Sequence, residues 1–225
     1  VNIAYNFVSV VVLGRFNPGI LTPDFLTKVC SMPLSKPQYL IPPEMPFPRE
    51  IRFSENISFL IDLERLQIAE HEVKNIQDVS VAKYAKLYLE KLPYTPISTA
   101  GVNFNFSLRF DEQNEKEQLC GLIQNESNLF SKFDIREYNL KVEKVCSQSR
   151  PNIYNYWIMT FQTDEGFYSS LRINFNKRNV IELNHNAEVK NLNEKPEQIN
   201  LLLGNYNNVV KYHESIKNVI LGIKK

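Results

Sequence analysis

Three histidines and three cysteines are the groups best able to do chemistry in this 225-residue chain. His71 lies between Glu70 and Glu72, an order that resembles half of a metal site. The second histidine of a His-Glu-x-x-His helix is missing, because Asn75 holds its place and the other histidines, His185 and His213, are more than a hundred residues away. Cys30, Cys120 and Cys146 are an odd, widely spaced set with no Cys-x-x-Cys pair, which argues against a disulfide framework and a structural zinc alike and fits a reducing compartment. No cofactor or metal is expected. A histidine general base needs a nucleophile to activate, and neither a nucleophile elbow nor an active-cysteine context is present. The paired carboxylates Asp62/Glu64 and Asp164/Glu165 read as solvated charges on a hairpin flank and in a tight turn. Gly14–Gly19 follows an apolar strand and precedes a helix, like a phosphate loop. Without a Gly-Lys-Ser/Thr ending or Gly-x-Gly-x-x-Gly it offers an anion little beyond Arg15.

A second kind of chemistry lies in the asparagines. Residues 102–110 alternate without a break between Val, Phe or Leu and Asn, Ser or Arg, the pattern of a strand with one dry and one wet face. Parity places Asn103, Asn105 and Arg109 on the wet face of that strand. Arg172, Asn174 and Asn176 follow on a second strand, and Glu182, Asn184 and Asn186 on a third. Amides both donate and accept, so a converging set would suit a polar ligand, a peptide or exposed bases. The binding candidates are therefore Asn103, Asn105, Arg109, Arg172, Asn174, Asn184 and Asn186. The competing reading is an ordinary solvated sheet face. His185 shares parity with Ile181 and Leu183 and is expected to point to the core. His213 lies on the apolar stripe of the last helix, as a core-edge residue. Phe104, Phe106, Phe110 and Phe175 share the apolar parity, so they are expected to be buried and cannot form a base-stacking platform.

Those residues need elements to hold them. At 43% hydrophobic and 12% aromatic the chain has ample material for a core. Phe7–Leu13 is β-branched and nearly continuous, a central strand seven residues long and too short to span a bilayer. With no basic leader or cleavage site beside it, the chain reads as an intracellular, cytoplasmic soluble protein. Thr22-Pro23-Asp24 opens a short helix running to about Met32. Six prolines between Pro33 and Pro48 leave an extended segment. Ile57–Asp62 and Leu66–Glu70 suggest a hairpin, with a short helix as the alternative. Asp78 caps a helix to Leu92, stopped by Pro93. After Asp111, a helix over 113–125 precedes strands at 137–146, 153–163, 167–176 and 179–186, an antiparallel meander that makes five strands with 102–110. From Pro196 apolar residues recur at three and four, predicting one helix of about 26 residues and roughly 40 Å, long enough to cross that sheet. No solenoid or propeller repeat is present.

The expected fold is thus α+β: an antiparallel sheet of about five strands packed against a long C-terminal helix (residues 96–225), with a smaller N-terminal α+β lobe (residues 1–95) that carries the proline-rich segment 33–48. Tyr94–Gly101 is the boundary between them.

Three stretches together resemble a sporadically distributed family of uncharacterised bacterial two-lobed α+β proteins: Ser9–Phe25, Tyr94–Phe104, and the closing strand and helix from Ile181. The resemblance implies a bacterial or mobile-element source and an intracellular location. By association it suggests a defence or mobile-element system, and it carries over no catalytic residue.

With 26 basic against 25 acidic residues there is no global field to gather nucleic acid or anionic membrane. The expected function is a non-enzymatic binding or assembly protein, taking a protein partner or a second copy of itself, with no membrane role. Its recognition surfaces would be the amide-rich face and the proline segment. Two alternatives have clear marks. A hydrolase or nuclease would bring His185 or His71 within reach of two carboxylates. A nucleic-acid binder would gather Arg109, Arg150, Arg172, Lys177 and Arg178 on one face.

Overall fold

Val8, Val10 and Val12 turn to one side of a long central strand, β1 (Asn2–Gly14), and all three are buried. That strand organises the molecule in a computed structural model that describes residues 1–41, 48–124, 143–147, 150–162, 167–174, 177 and 179–222. On one flank β1 pairs with β5 (Arg65–His71), the return arm of a hairpin with β4 (Ile57–Ile61), as the alternation predicts. Beyond it lie β3 (Arg49–Arg52) and the two-residue β2 (Gln38–Tyr39). On the other flank β1 pairs with β6 (Ile97–Arg109), followed by β10 (Val180–Val189), β9 (Tyr168–Asn174), β8 (Arg150–Gln162) and β7 (Glu143–Ser147). The result is one antiparallel sheet of ten strands in the order β2-β3-β4-β5-β1-β6-β10-β9-β8-β7.

This corrects the expected fold. The α+β class holds, but the sheet is not a five-stranded unit beside a smaller lobe, because β1 and β6 pair along nearly their whole length. Parity tells which face a residue takes, not which strand stands beside it. The terminal helix is also not one long rod. It comprises α3 (Ile199–Leu203) and α4 (Tyr206–Ile220), and fifteen residues give α4 a length of only about 22 Å. Gly204, a weak helix former, ends α3, with the amides of Gly204 and Asn205 both donating to the Asn200 carbonyl. The Asn205 carbonyl then accepts from Asn208 and Val209 and starts the helix afresh.

The two halves of the sheet are related by an approximate two-fold axis. Among the described residues each half runs strand, helical segment, four strands, helical segment, and the order β2-β3-β4-β5-β1 is mirrored by β7-β8-β9-β10-β6. The axis passes between Ser9 and Asn103, which face each other across the central pair. Leu13-Gly14-Arg15-Phe16 and Ser107-Leu108-Arg109-Phe110 occupy corresponding places.

One face of the sheet holds the core, where Val8, Ile68, Phe59, Phe104, Phe106 and Leu183 lie under the helices. α1 (Val81–Glu90) buries Val81, Tyr84, Ala85 and Tyr88 there. Its first turn is capped across the chain. Asp78 bonds Asn75 instead, while the Ser80 amide donates to Glu70 Oε2 at 2.9 Å, placing an acid at the positive end of the helix. The Thr22 hydroxyl accepts the Phe25 amide at 3.1 Å, as its capping role predicts, and the helix continues as a π-turn over Phe25–Val29. α2 (Gln113–Gln124) adds Leu119 to the core. Residues 42–47 of the proline segment, 137–142 of the expected strand, the turn at 164–166, Phe175, Asn176 and Arg178 lie outside the described residues.

Candidate functional site

The second face of the sheet carries the asparagines, and the register aligns them into rows. His71, Phe7, Asn105, Asn184 and Arg172 stand side by side across five adjacent strands. The next row is Arg52, Ser58, Ala69, Ser9, Asn103, Asn186 and Ser170, with the two-fold axis near its middle. Four of the seven candidates, Asn103, Asn105, Asn184 and Asn186, thus meet in one patch at the axis, each half-buried between strand neighbours, with Arg172 exposed beside them. Arg109 lies at the far end of β6, exposed, and Asn174 bonds Glu182 at 3.3 Å in a separate row. None of these positions belongs to the core beneath the helices.

The patch is polar without being charged. Asn6 donates to Asn105 Oδ1 at 2.7 Å, and Asn186 donates to Glu188 Oε2 at 3.1 Å. The acids nearby are matched, Glu182 by Lys177 at 2.6 Å and Glu188 by Lys190 at 2.9 Å. Lys177 is therefore spent on its own face rather than offered to a phosphate. Arg109 and Arg172 do share the face, while the side chain of Arg150 and the whole of Arg178 lie outside the described residues.

Beneath the helices lies a second polar constellation that sequence reasoning missed. His185 and His213 are both 0% exposed, so His213 is inside the core rather than at its edge. Their Nδ1 atoms stand 3.0 Å apart. Ser169 Oγ lies 2.7 Å from His185 Nε2, and Tyr5 Oη lies 3.0 Å from His213 Nε2. Tyr5 reaches Glu214 Oε1 at 3.3 Å, and Lys217 pairs with that same carboxylate. One set of tautomers satisfies every donor: Ser169 donates to His185, His185 to His213, His213 to Tyr5, and Tyr5 to Glu214. Phe104 stacks on His213 at 4.1 Å between centroids and 13° between planes, while Phe106 meets its edge at 5.1 Å. Burial pushes His185 down to about 3, and burial, with smaller contributions from His185 and Lys217, holds His213 well below its ordinary value. Burial first, then the Glu214 carboxylate, raises the Tyr5 phenol.

The signal for this chain was half visible, since both histidines read as core-directed. Tyr5 was hidden because the register shifts between Tyr5 and Phe7, a bulge at Asn6 that turns Tyr5 towards the helices while Phe7 faces the opposite side. Ser169 is 1% exposed, so no substrate reaches the serine–histidine contact.

His71 sits on the same face as the asparagines, where Ser58 Oγ lies 2.9 Å from its Nε2. Burial and then Arg52 lower its pKa, against a smaller opposing effect of Glu72. Among the described residues no carboxylate hydrogen-bonds His71 or His185, and no group of three metal-binding side chains is present. A cavity of about 430 Å³ opens between α1 and α3, lined by Leu89, Pro93, Pro96, Ile97, Ile199 and Leu203 among others. Among the described residues no helix is long and apolar enough to cross a membrane.

Fold and site together define an α+β protein whose antiparallel sheet mirrors its strand order about the central pair β1–β6 and, among the described residues, carries its helices on one face. No protein-family model matches the chain, and no curated protein matches it in sequence.

Proposed function

We propose that this chain is a non-enzymatic binding or assembly protein that works in the cytoplasm and takes a protein partner on the amide-bearing face of its sheet. The observation that carries the reading is the row of Phe7, Asn105, Asn184 and Arg172, on a face where none of the described helices buries its apolar side. Amides at the centre, an aromatic on one side and an arginine on the other are the groups that make specific contacts at protein interfaces, where Arg and aromatic anchors dominate. The matched acids on the same face disfavour a polyanion, which gains its affinity from unpaired Lys and Arg. The resemblance to the sporadic bacterial family suggests a defence or mobile-element setting.

The test is affinity capture from the native cell with the wild type and an Asn105→Asp/Asn184→Asp/Arg172→Glu triple variant. Lys83→Glu, on the exposed side of α1, serves as the control. The triple variant is expected to recover the wild-type protein partner at least about tenfold less well, a loss of roughly 1.4 kcal/mol. The control is expected to recover it fully. Equal recovery by the triple variant contradicts the reading, and recovery of nucleic acid that washes off with salt replaces it.

A further inference from the structure

We infer that the buried His185–His213 contact is an acid-sensitive latch that fastens α4 to the sheet. The two-fold relation between the halves supplies the first argument. The positions in the first half that correspond to Ser169 and His185 are Ile57 and Ile68, both packed in the core at 2% and 0% exposure. The same architecture is therefore built with plain apolar packing in one half, and the fold does not require a polar group there. In the second half it carries a hydrogen-bonded pair whose burial costs free energy that two aliphatic side chains would not.

Geometry makes the pair responsive. With the Nδ1 atoms 3.0 Å apart, one ring carries the shared proton and the other accepts it, so the contact holds only while at least one imidazole is neutral. A second proton sets two cations face to face in a dry core. Facing the pair are Tyr5 from β1 and Tyr206, Tyr212, Glu214 and Lys217 from α4. β6 and β9 contribute Phe104, Phe106 and Ser169, which do not ionise, and β10 contributes His185 itself. Among the described residues the one carboxylate near the pair, Glu214, is reached only through the Tyr5 hydroxyl and is already paired with Lys217. Among them no anion touches either ring to hold an added charge.

The part released is α4. It carries His213 near its middle, begins after the break at Gly204, and contributes no strand to the sheet. Both histidines take up protons more readily once α4 is off, so its attachment is complete above the ordinary histidine value. It weakens as pH falls below about 6.5, by about tenfold in the open population per pH unit for each proton bound.

The test is backbone amide exchange read by mass spectrometry on the whole chain at pH 7 and pH 5, corrected for the intrinsic rate. Protection of 206–220 is expected to fall at least tenfold more than protection of 81–90 in α1. His185→Ile/His213→Leu, which puts at 185 the residue type that Ile68 holds in the first half and an aliphatic side chain opposite it, is expected to lose that difference. An equal fall in both helices, or none in α4, overturns the latch. Should the double variant not fold, histidine ring titration by NMR in the wild type decides. A ring that protonates near 6.5 while α4 stays protected overturns the inference, and rings that stay neutral until α4 opens support it.

Discussion

Phe104→Ala is expected to destabilise the protein by about 3–5 kcal/mol, read as a lower urea midpoint with an unchanged slope, or a fall of roughly 10 °C in Tm. The ring is fully buried at the junction of β6, β10 and α4, stacked on His213 and 5.8 Å from His185. Its removal leaves a cavity bounded by two imidazoles whose hydrogen bonds hold them in place, so the site cannot collapse to fill it. Val10 holds the corresponding place in the first half and is also buried, but its side chain is smaller and its strand neighbour there is Ile68 rather than a histidine. Val10→Ala is expected to cost about 2 kcal/mol. A loss under about 1 kcal/mol for Phe104→Ala would mean that α4 does not seat on this part of the sheet.

Gly14→Ala is expected to cost about 2–4 kcal/mol, although it adds a single methyl group. A Cβ at this position would lie 2.2 Å from the Pro96 carbonyl oxygen and 3.2 Å from its carbon, and both are backbone atoms that cannot rotate aside. The same few residues are held by the Gly14 amide on Glu64 at 2.9 Å, the Arg15 amide on Pro96 at 3.0 Å and the Phe16 amide on Leu63 at 2.9 Å. Moving the end of β1 away from Pro96 therefore breaks at least one hydrogen bond as well. Gly101→Ala is the comparison. Its nearest obstacle, at 2.7 Å, is the side-chain oxygen of Asn186, which can turn away at a cost of about 1 kcal/mol. Equal costs for the two glycines, measured by chemical denaturation, would show that β1 does not end against Pro96.

The parts of this architecture that a sequence reveals are those set by local periodicity. Residues 102–110 sort themselves onto two faces, and the phenylalanines at 104, 106 and 110 are buried as their alternation requires. The helix before Pro93 follows from a pattern of similar clarity, whereas the hairpin at 57–71 competes with a short helix in the sequence, because Leu63 and Leu66 also suit a helical period. What alternation does not encode is adjacency. The pairing of Ser9 with Asn103 joins residues far apart in the chain, and its only trace in the sequence is the weak match of Leu13–Phe16 with Ser107–Phe110. The apolar stripe predicts one long terminal helix because it continues in phase on either side of Gly204, where the structure breaks it in two. The amide patch was half legible: parity named the residues, and the register alone shows that Asn105 stands beside Asn184 while Arg109 and Asn174 stand apart. The histidine pair needed three unrelated facts at once, the inward turn of His185, the phase of α4 and the bulge at Asn6.

The amide-bearing sheet face as the recognition surface is the central claim, and thiol labelling along β10 tests it most directly. Single cysteines at 182, 184, 186 and 188, and at 181, 183 and 187, are placed in a background lacking Cys30, Cys120 and Cys146, then labelled in the purified protein and in the native cell. In the purified protein the even series is expected to react at least about tenfold faster than the odd series, which faces the helices. In the cell the even series is expected to become shielded, while an exposed cysteine at Lys83 on α1 stays reactive. An even series that reacts as fast in the cell as in the tube would contradict the account.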